Sequence, residues 1–211
     1  VIPEQAFSEA DYQQLIYDSI STAIAPLDPE KILEAEWLNS RGAIARFDRG
    51  SIEIRILDIQ ESPMADLALL NLIIHSLKLL VEEKTCSLQQ QQAWAASPLA
   101  SLLLQVAQNA EKTLIEDADY LCLLGWSKTP ATTRQLWQHL FQQCQKTYPQ
   151  AMAPWQNTIH QLLASGSLSS RILQQLDGIY SKQNLKLVYS ELCDCLQEND
   201  TFETWQPSVS S

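Results

Sequence analysis

Residues 41–58, Arg-Gly-Ala-Ile-Ala-Arg-Phe-Asp-Arg-Gly-Ser-Ile-Glu-Ile-Arg-Ile-Leu-Asp, carry the one pattern in this chain that reads clearly as β structure. Ala43 to Asp48 and Ser51 to Asp58 alternate in character and are joined across Asp48-Arg49-Gly50, turn chemistry that predicts an antiparallel hairpin. In the second strand a period of two sends Ile52, Ile54 and Ile56 to one face and Glu53, Arg55 and Leu57 to the other. The isoleucine face is expected in the core. The same stretch holds Arg41, Arg46, Arg49 and Arg55, four of six arginines in a chain of formal net charge -11. So local an excess of guanidinium predicts an anion site.

Everything else reads as helix. Tyr12, Leu15, Ile16, Ile20 and Ala23 recur at helical spacing behind Ser8 as N-cap, and the helix is expected to reach about Ile24. Pro26 and Pro29 end it, and Asp28 is placed to cap a short helix through about Trp37. Asn39-Ser40-Arg41-Gly42 is a turn leading into the hairpin. Ser62-Pro63 starts a helix to about Lys84 whose run 67–81 is apolar almost all round. Asn71, His75, Ser76 and Lys78 interrupt that run, and it falls short of the roughly 20 residues of a membrane span, so a buried central helix is expected. The Gln89–Gln92 run reads as a solvated helix start or loop. Further helices are predicted from Pro98 to about Ile115, from Thr129-Pro130 with the stripe Leu136, Trp137, Leu140, Phe141 and Cys144, from Trp155 to Gly166, from Leu168 to near Gly178, and over Leu185 to Leu196.

The fold class is therefore α+β: a small antiparallel β-hairpin followed by a mainly helical bundle of about five or six helices. At 211 residues the chain fits one domain, or the C-terminal half of a larger one. It subdivides into 1–61 with the hairpin, 62–202 as the bundle and 203–211 as a frayed tail. Val1 stands where an initiator methionine is usual, and an excised piece is expected.

An acidic pI near 4.6 argues against coating nucleic acid or anionic lipid, which need a broad positive face. Five cysteines, an odd number without a C-x-x-C pair, suit a reducing compartment better than a disulfide framework. With no basic and apolar leader pattern at the N-terminus, a cytoplasmic protein is expected.

Guanidinium forks beside one carboxylate suit a phosphate and its magnesium ion, since arginine grips phosphate oxygens bidentately while a carboxylate holds the metal. That chemistry singles out Glu53 and Arg55, with Arg41, Arg46 and Arg49 as phosphate or substrate contacts. The plainer alternative is a solvated salt bridge between Glu53 and Arg55, with the other arginines paired to Asp48, Asp58 or Glu61. His75, His139 and His160 stand singly, Cys193 and Cys195 cannot share a helical face, and Asp117-Ala118-Asp119 reads as a helix end.

Ser51-Ile-Glu-Ile-Arg-Ile-Leu-Asp58 resembles the strand motif of glutamate-cysteine ligases. Trp37-Leu-Asn-Ser-Arg-Gly-Ala-Ile-Ala-Arg-Phe-Asp-Arg49 resembles their bacterial carboxylate-amine ligase branch, as do Leu123-Leu-Gly-Trp126, Ser169-Ser-Arg-Ile-Leu173 and Tyr189-Ser-Glu-Leu-Cys-Asp-Cys-Leu196. The resemblance covers most of this chain but only the C-terminal half of such proteins. It implies part of a glutamine synthetase-like fold and ATP-dependent amide formation through an acyl phosphate. The substrates it implies are a small carboxylate such as glutamate and an amine such as that of cysteine. Carried onto matching positions, Glu53 is a Mg²⁺ ligand and Arg55 the catalytic contact to the transferred phosphoryl group. The acidic ligands of the family's N-terminal half have no counterpart here, so the isolated chain is expected to lack ligase activity and to need that half or a second copy. The competing reading is a non-catalytic helical binding module whose arginines grip an anion or a protein.

Overall fold

The computed structural model describes residues 1–203; of the expected frayed tail, only Glu203 falls within them. In chain order the elements are α1 (Glu9–Tyr12), a π-helical turn (Gln13–Tyr17), α2 (Asp18–Ile24), α3 (Ala35–Leu38), β1 (Ala43–Arg46), β2 (Ser51–Ile54), α4 (Pro63–Val81) and α5 (Leu88–Gln92). They continue with α6 (Ala96–Asn109), β3 (Leu114–Ile115), α7 (Ala118–Leu123), β4 (Ala131–Thr132), α8 (Thr133–Thr147), α9 (Pro149–Met152), α10 (Gln156–Ser165), α11 (Leu168–Leu176) and α12 (Lys182–Glu198). The molecule is mostly helical with small antiparallel sheets, and it falls into two compact units. The first comprises Val1–Asp58 and Gln89–Leu104, the second Ile59–Leu88 and the described residues from Gln105 on.

In the first unit Ser8 caps α1, its hydroxyl accepting from the Asp11 N–H. The helical stripe is not the one a strict 3.6 period predicts, because the Gln13–Tyr17 turn is π-helical. That wider turn brings Tyr12 and Tyr17, five residues apart, onto one side with Ile16, while Leu15 is turned out to solvent. The expected helix behind Asp28 shrinks to α3. The Asp28 carboxylate instead holds a tight turn, accepting from the Ile32 and Leu33 N–H groups at 3.1 and 2.8 Å.

The hairpin forms in the register Ala43 to Ile54, Ile44 to Glu53, Ala45 to Ile52 and Arg46 to Ser51. Gly50 supplies the left-handed residue that closes the turn, at φ 58°. Which face is covered reverses the expectation. Ile44, opposite Glu53 and on the charged face, is buried, whereas Ile52 on the isoleucine face is 68% exposed and Ile56 is also exposed. Residues 36–39 lie over the charged face, where Arg55 donates to the Asn39 and Glu36 carbonyls.

In the second unit Ser62 caps α4, with Pro63 at its first position. One face of α4, Ala65, Ala68, Leu72 and Leu79, packs with Phe141, Cys144, Met152, Ile159 and Leu162 from α8, α9 and α10. The helix is not buried all round as its composition suggests: Leu67, Leu70, Ile74, Leu77 and Val81 lie on the other side and are exposed. By length and composition alone α4 could cross a membrane, and 28% of its apolar window is buried. The predicted helix to Ile115 stops at Asn109 because Leu114 and Ile115 pair with Thr132 and Ala131, a second small sheet. That pairing also moves the start of α8 past Pro130 to Thr133, where Thr132 and Gln135 form a capping box. The α8 stripe is as expected, with Leu136, Leu140, Phe141 and Cys144 buried. Leu176, Val188 and Phe202 join α11, α12 and the segment after it in a smaller cluster.

Candidate functional site

The chemistry singled out in the sequence converges on the charged face of the hairpin. Glu53 and Arg55 are two apart on β2 and its extension, so they share a face, and Arg46 is Glu53's diagonal neighbour across the pair. Glu53 bridges both arginines: Oε1 accepts from Arg55 Nε at 2.7 Å and Oε2 from Arg46 Nη1 at 3.0 Å. Arg55 Nη1 donates to the Asn39 carbonyl at 2.5 Å, which fixes the guanidinium against the loop that leads into β1. Arg46 faces Glu53, Glu36 at 3.3 Å and Asp48 at 3.3 Å.

Arg41 and Arg49 sit apart from that centre. Arg41 forms a fork on Glu4 with both contacts at 2.5 Å, and Arg49, largely exposed, reaches Asp48 at 3.3 Å. The positive excess expected from composition is thus cancelled. Four guanidinium groups meet Glu4, Glu36, Asp48 and Glu53, of which only Glu4 comes from far along the chain. Glu61, considered as a partner for these arginines, pairs instead with Arg171.

The pairing sets the charge states. Arg55 and then Arg46 hold the Glu53 carboxyl below its ordinary value, and hydrogen bonds to Asp48 and Glu53 hold Arg46 above its own, so both stay ionised through the physiological range. Arg46 likewise lowers Asp48, and Arg41 lowers Glu4. Burial, then the Glu36 charge, raises the Tyr17 hydroxyl, which remains a neutral donor.

Several positioning residues were not legible as such. Asn39, fully buried, folds its Oδ1 back to accept from the Arg41 N–H at 3.2 Å and Arg41 Nη1 at 3.3 Å, and donates from Nδ2 to the Tyr12 hydroxyl at 3.1 Å. The sequence marked Asn39-Ser40-Arg41-Gly42 only as a turn; the side-chain bond that closes it is an Asx-type bend. The Tyr12 hydroxyl also accepts from the Ala45 N–H at 3.2 Å, and the Tyr17 hydroxyl donates to the Ala45 carbonyl at 3.2 Å. Two phenols therefore satisfy β1's outer edge where a third strand would otherwise bind.

As a place for a divalent cation, the hairpin offers one carboxylate. Each Glu53 oxygen accepts one arginine hydrogen bond and keeps a lone pair, and its side chain is 39% exposed, so it fits as a single ligand. Among the described residues no group of three or more His, Cys, Asp and Glu side chains is arranged to hold a metal. Mg²⁺ bound here would take its remaining oxygens from phosphate and water, a usual arrangement for that ion.

The remaining candidates resolve as structure. Asp117 caps α7 through the Tyr120 N–H at 2.9 Å. His75 Nδ1 bonds the Asn71 carbonyl at 2.8 Å, and the His139 ring stands edge-on to Trp126. Cys193 and Cys195 are free thiols. A cavity of about 450 Å³ between α8 and α10 is lined by carboxamides such as Gln138, Gln142 and Gln145, with His160 and Phe141 but no acid or arginine.

No family model matches the chain, and no solved structure matches it. An uncharacterized protein of Archaeoglobus fulgidus is 25% identical to it over 205 residues, 96% of this chain and 47% of the relative. The chain spans about half the length of that curated relative.

Proposed function

We propose that this chain is the C-terminal part of an ATP-dependent carboxylate-amine ligase resembling the glutamate-cysteine ligases. The observation that carries the reading is Glu53 held between Arg46 and Arg55 on one half-open face of the hairpin. In this reading Arg55 contacts the transferred phosphoryl group, Arg46 and the flanking Arg41 and Arg49 neutralise phosphate or substrate carboxylate, and Glu53 holds Mg²⁺, which would supply charge neutralisation on the phosphates. The carboxylate substrate, such as glutamate, is activated as an acyl phosphate, and an amine such as that of cysteine displaces phosphate to leave the amide. With one metal ligand on this face, the 211-residue chain by itself is inactive. Formation of an amide from glutamate, an amine and ATP by the purified chain would overturn that statement. In the complete gene product, Glu53→Gln and Arg55→Lys are expected to abolish MgATP binding measured by calorimetry while leaving the circular dichroism spectrum unchanged.

A second reading is favoured by the charge balance. Four arginines matched by four carboxylates make a neutral lattice, as a helical interaction module would use to shape a surface. Unchanged nucleotide binding in both variants, with loss of a protein partner, would select it.

A further inference from the structure

Two polar stripes meet at the cavity between α8 and α10. Gln138, Gln142 and Gln145 follow one another at helical spacing on α8, and Gln156, Asn157 and His160 do so on α10, so each helix turns one stripe to the same trough. Among the described residues none of these six side chains has a hydrogen-bond partner, although Gln138 and Gln145 are half-buried. By contrast, Gln135 on α8 accepts from the Thr132 N–H and Gln161 on α10 donates to Glu203, both at 2.8 Å. A half-buried carboxamide sheds part of its hydration and, unbonded, recovers nothing for it. Glutamine is a good helix former, but so are glutamate and lysine, which a merely solvated face would carry as readily. Charge is missing here: α10 has no Asp, Glu, Lys or Arg, and Arg134 and Lys146 of α8 lie outside the lining.

We propose that this trough binds a neutral polyhydroxylated molecule, a sugar of one or two rings. Each carboxamide sets an acceptor beside two donors, and adjacent hydroxyls, each both donor and acceptor, match that arrangement. Phe141 and Leu163 add apolar atoms for the C–H face of a sugar ring. A phosphate or carboxylate would surrender hydration here without meeting a counter-charge. A nucleobase needs an open aromatic face to stack on, and the Phe141 side chain is 5% exposed and packed in the core. At about 450 Å³ the cavity has the size of a small-molecule site, and its carboxamide lining is more polar than is usual for one, so the affinity is modest. The trough belongs to the second unit, and the inference does not rest on the reading of the hairpin.

The test titrates the 211-residue chain with maltose and follows the side-chain amide signals by nitrogen–proton correlation NMR. Those of Gln138, Gln142, Gln145 and Asn157 are expected to shift saturably, with half-saturation at about 1–10 mM, while those of Gln13 and Asn184 stay in place. Gln142→Ala and Asn157→Ala change exposed side chains and leave the fold, which an unchanged backbone spectrum away from the trough checks. Each is expected to raise the half-saturation point by about fivefold, and the double variant by more than about tenfold. Gluconate, which carries a carboxylate, and cytosine, a base without a sugar, serve as competing probes and are expected to bind more weakly than maltose. The absence of a saturable shift at about 100 mM maltose would overturn the proposal. So would a shift that the double variant keeps unchanged, or half-saturation by gluconate or cytosine at a lower concentration than by maltose.

Discussion

Glu61 and Glu53 are both carboxylates gripped by arginine, yet the two assemblies are built to opposite ends. In the second unit Glu61 and Arg171 are almost wholly buried and meet in a fork at 2.6 and 3.1 Å. Their remaining capacity is spent locally: the Phe202 N–H donates to Glu61, and Arg171 donates to the carbonyls of Phe202 and Gly166. Burial closes the pair to a ligand from solvent. In the first unit Glu53 and Arg55 are 39% and 30% exposed, and Glu53 divides its oxygens between two arginines. A closed pair ties α11 and the segment at Phe202 to the residues ahead of α4, whereas an open one can exchange a partner. The closed pair teaches that ion pairing alone does not mark a site; access does.

The sharpest way to break this comparison is Arg171→Met. It strands a buried carboxylate and is expected to destabilise the second unit by about 3–5 kcal/mol, read as a lowered denaturation midpoint. A loss under 1 kcal/mol would mean that water reaches Glu61. Acid offers the next test. Burial raises the Glu61 carboxyl, but hydrogen bonds from Arg171 and backbone N–H groups outweigh it and leave the value below the ordinary 4.5. A lowered folded value stabilises above the unfolded one, so this contribution is complete above about pH 4.5 and disappears as pH falls through the folded value. Thermal melts from pH 6 to 3 should show the loss in the parent and a much flatter profile in Glu61→Gln.

Smaller effects are expected in the first unit. Tyr12→Phe leaves the Ala45 N–H and the buried Asn39 amide without their acceptor and should cost about 1–3 kcal/mol, with faster exchange at Ala45 as the local sign. Glu53→Gln should change stability least, by about 0–1 kcal/mol, because its pairs are half in solvent. An effect as large as that of Arg171→Met would make the hairpin cluster a structural lock too.

What the sequence made legible follows from how local each signal is. The hairpin turn at Asp48-Arg49-Gly50, the Ser62-Pro63 start and the α8 stripe are set by residues within a few positions, and they fold as their chemistry predicts. Arg171 was visible only as a member of Ser169-Ser-Arg-Ile-Leu173, since its partner Glu61 lies 110 positions earlier. Glu4 reaches Arg41 across 37 positions for the same reason. The β3 and β4 pairing is two residues long, too short for alternation to register against helical flanks. The isoleucine face was assigned to the core because alternation says which residues share a side, not which side is covered.

The π-helical turn at Gln13–Tyr17 carries a consequence for chain length. Both tyrosines that occupy β1's edge depend on a local winding wider than the helix around it. Ordinary winding at unchanged length would rotate Tyr17 away from Ala45, whereas removing one residue between the tyrosines sets them four apart and keeps both on one face. A change of winding in a surface helix would then behave as a sheet mutation, uncovering a strand that lies 28 positions downstream.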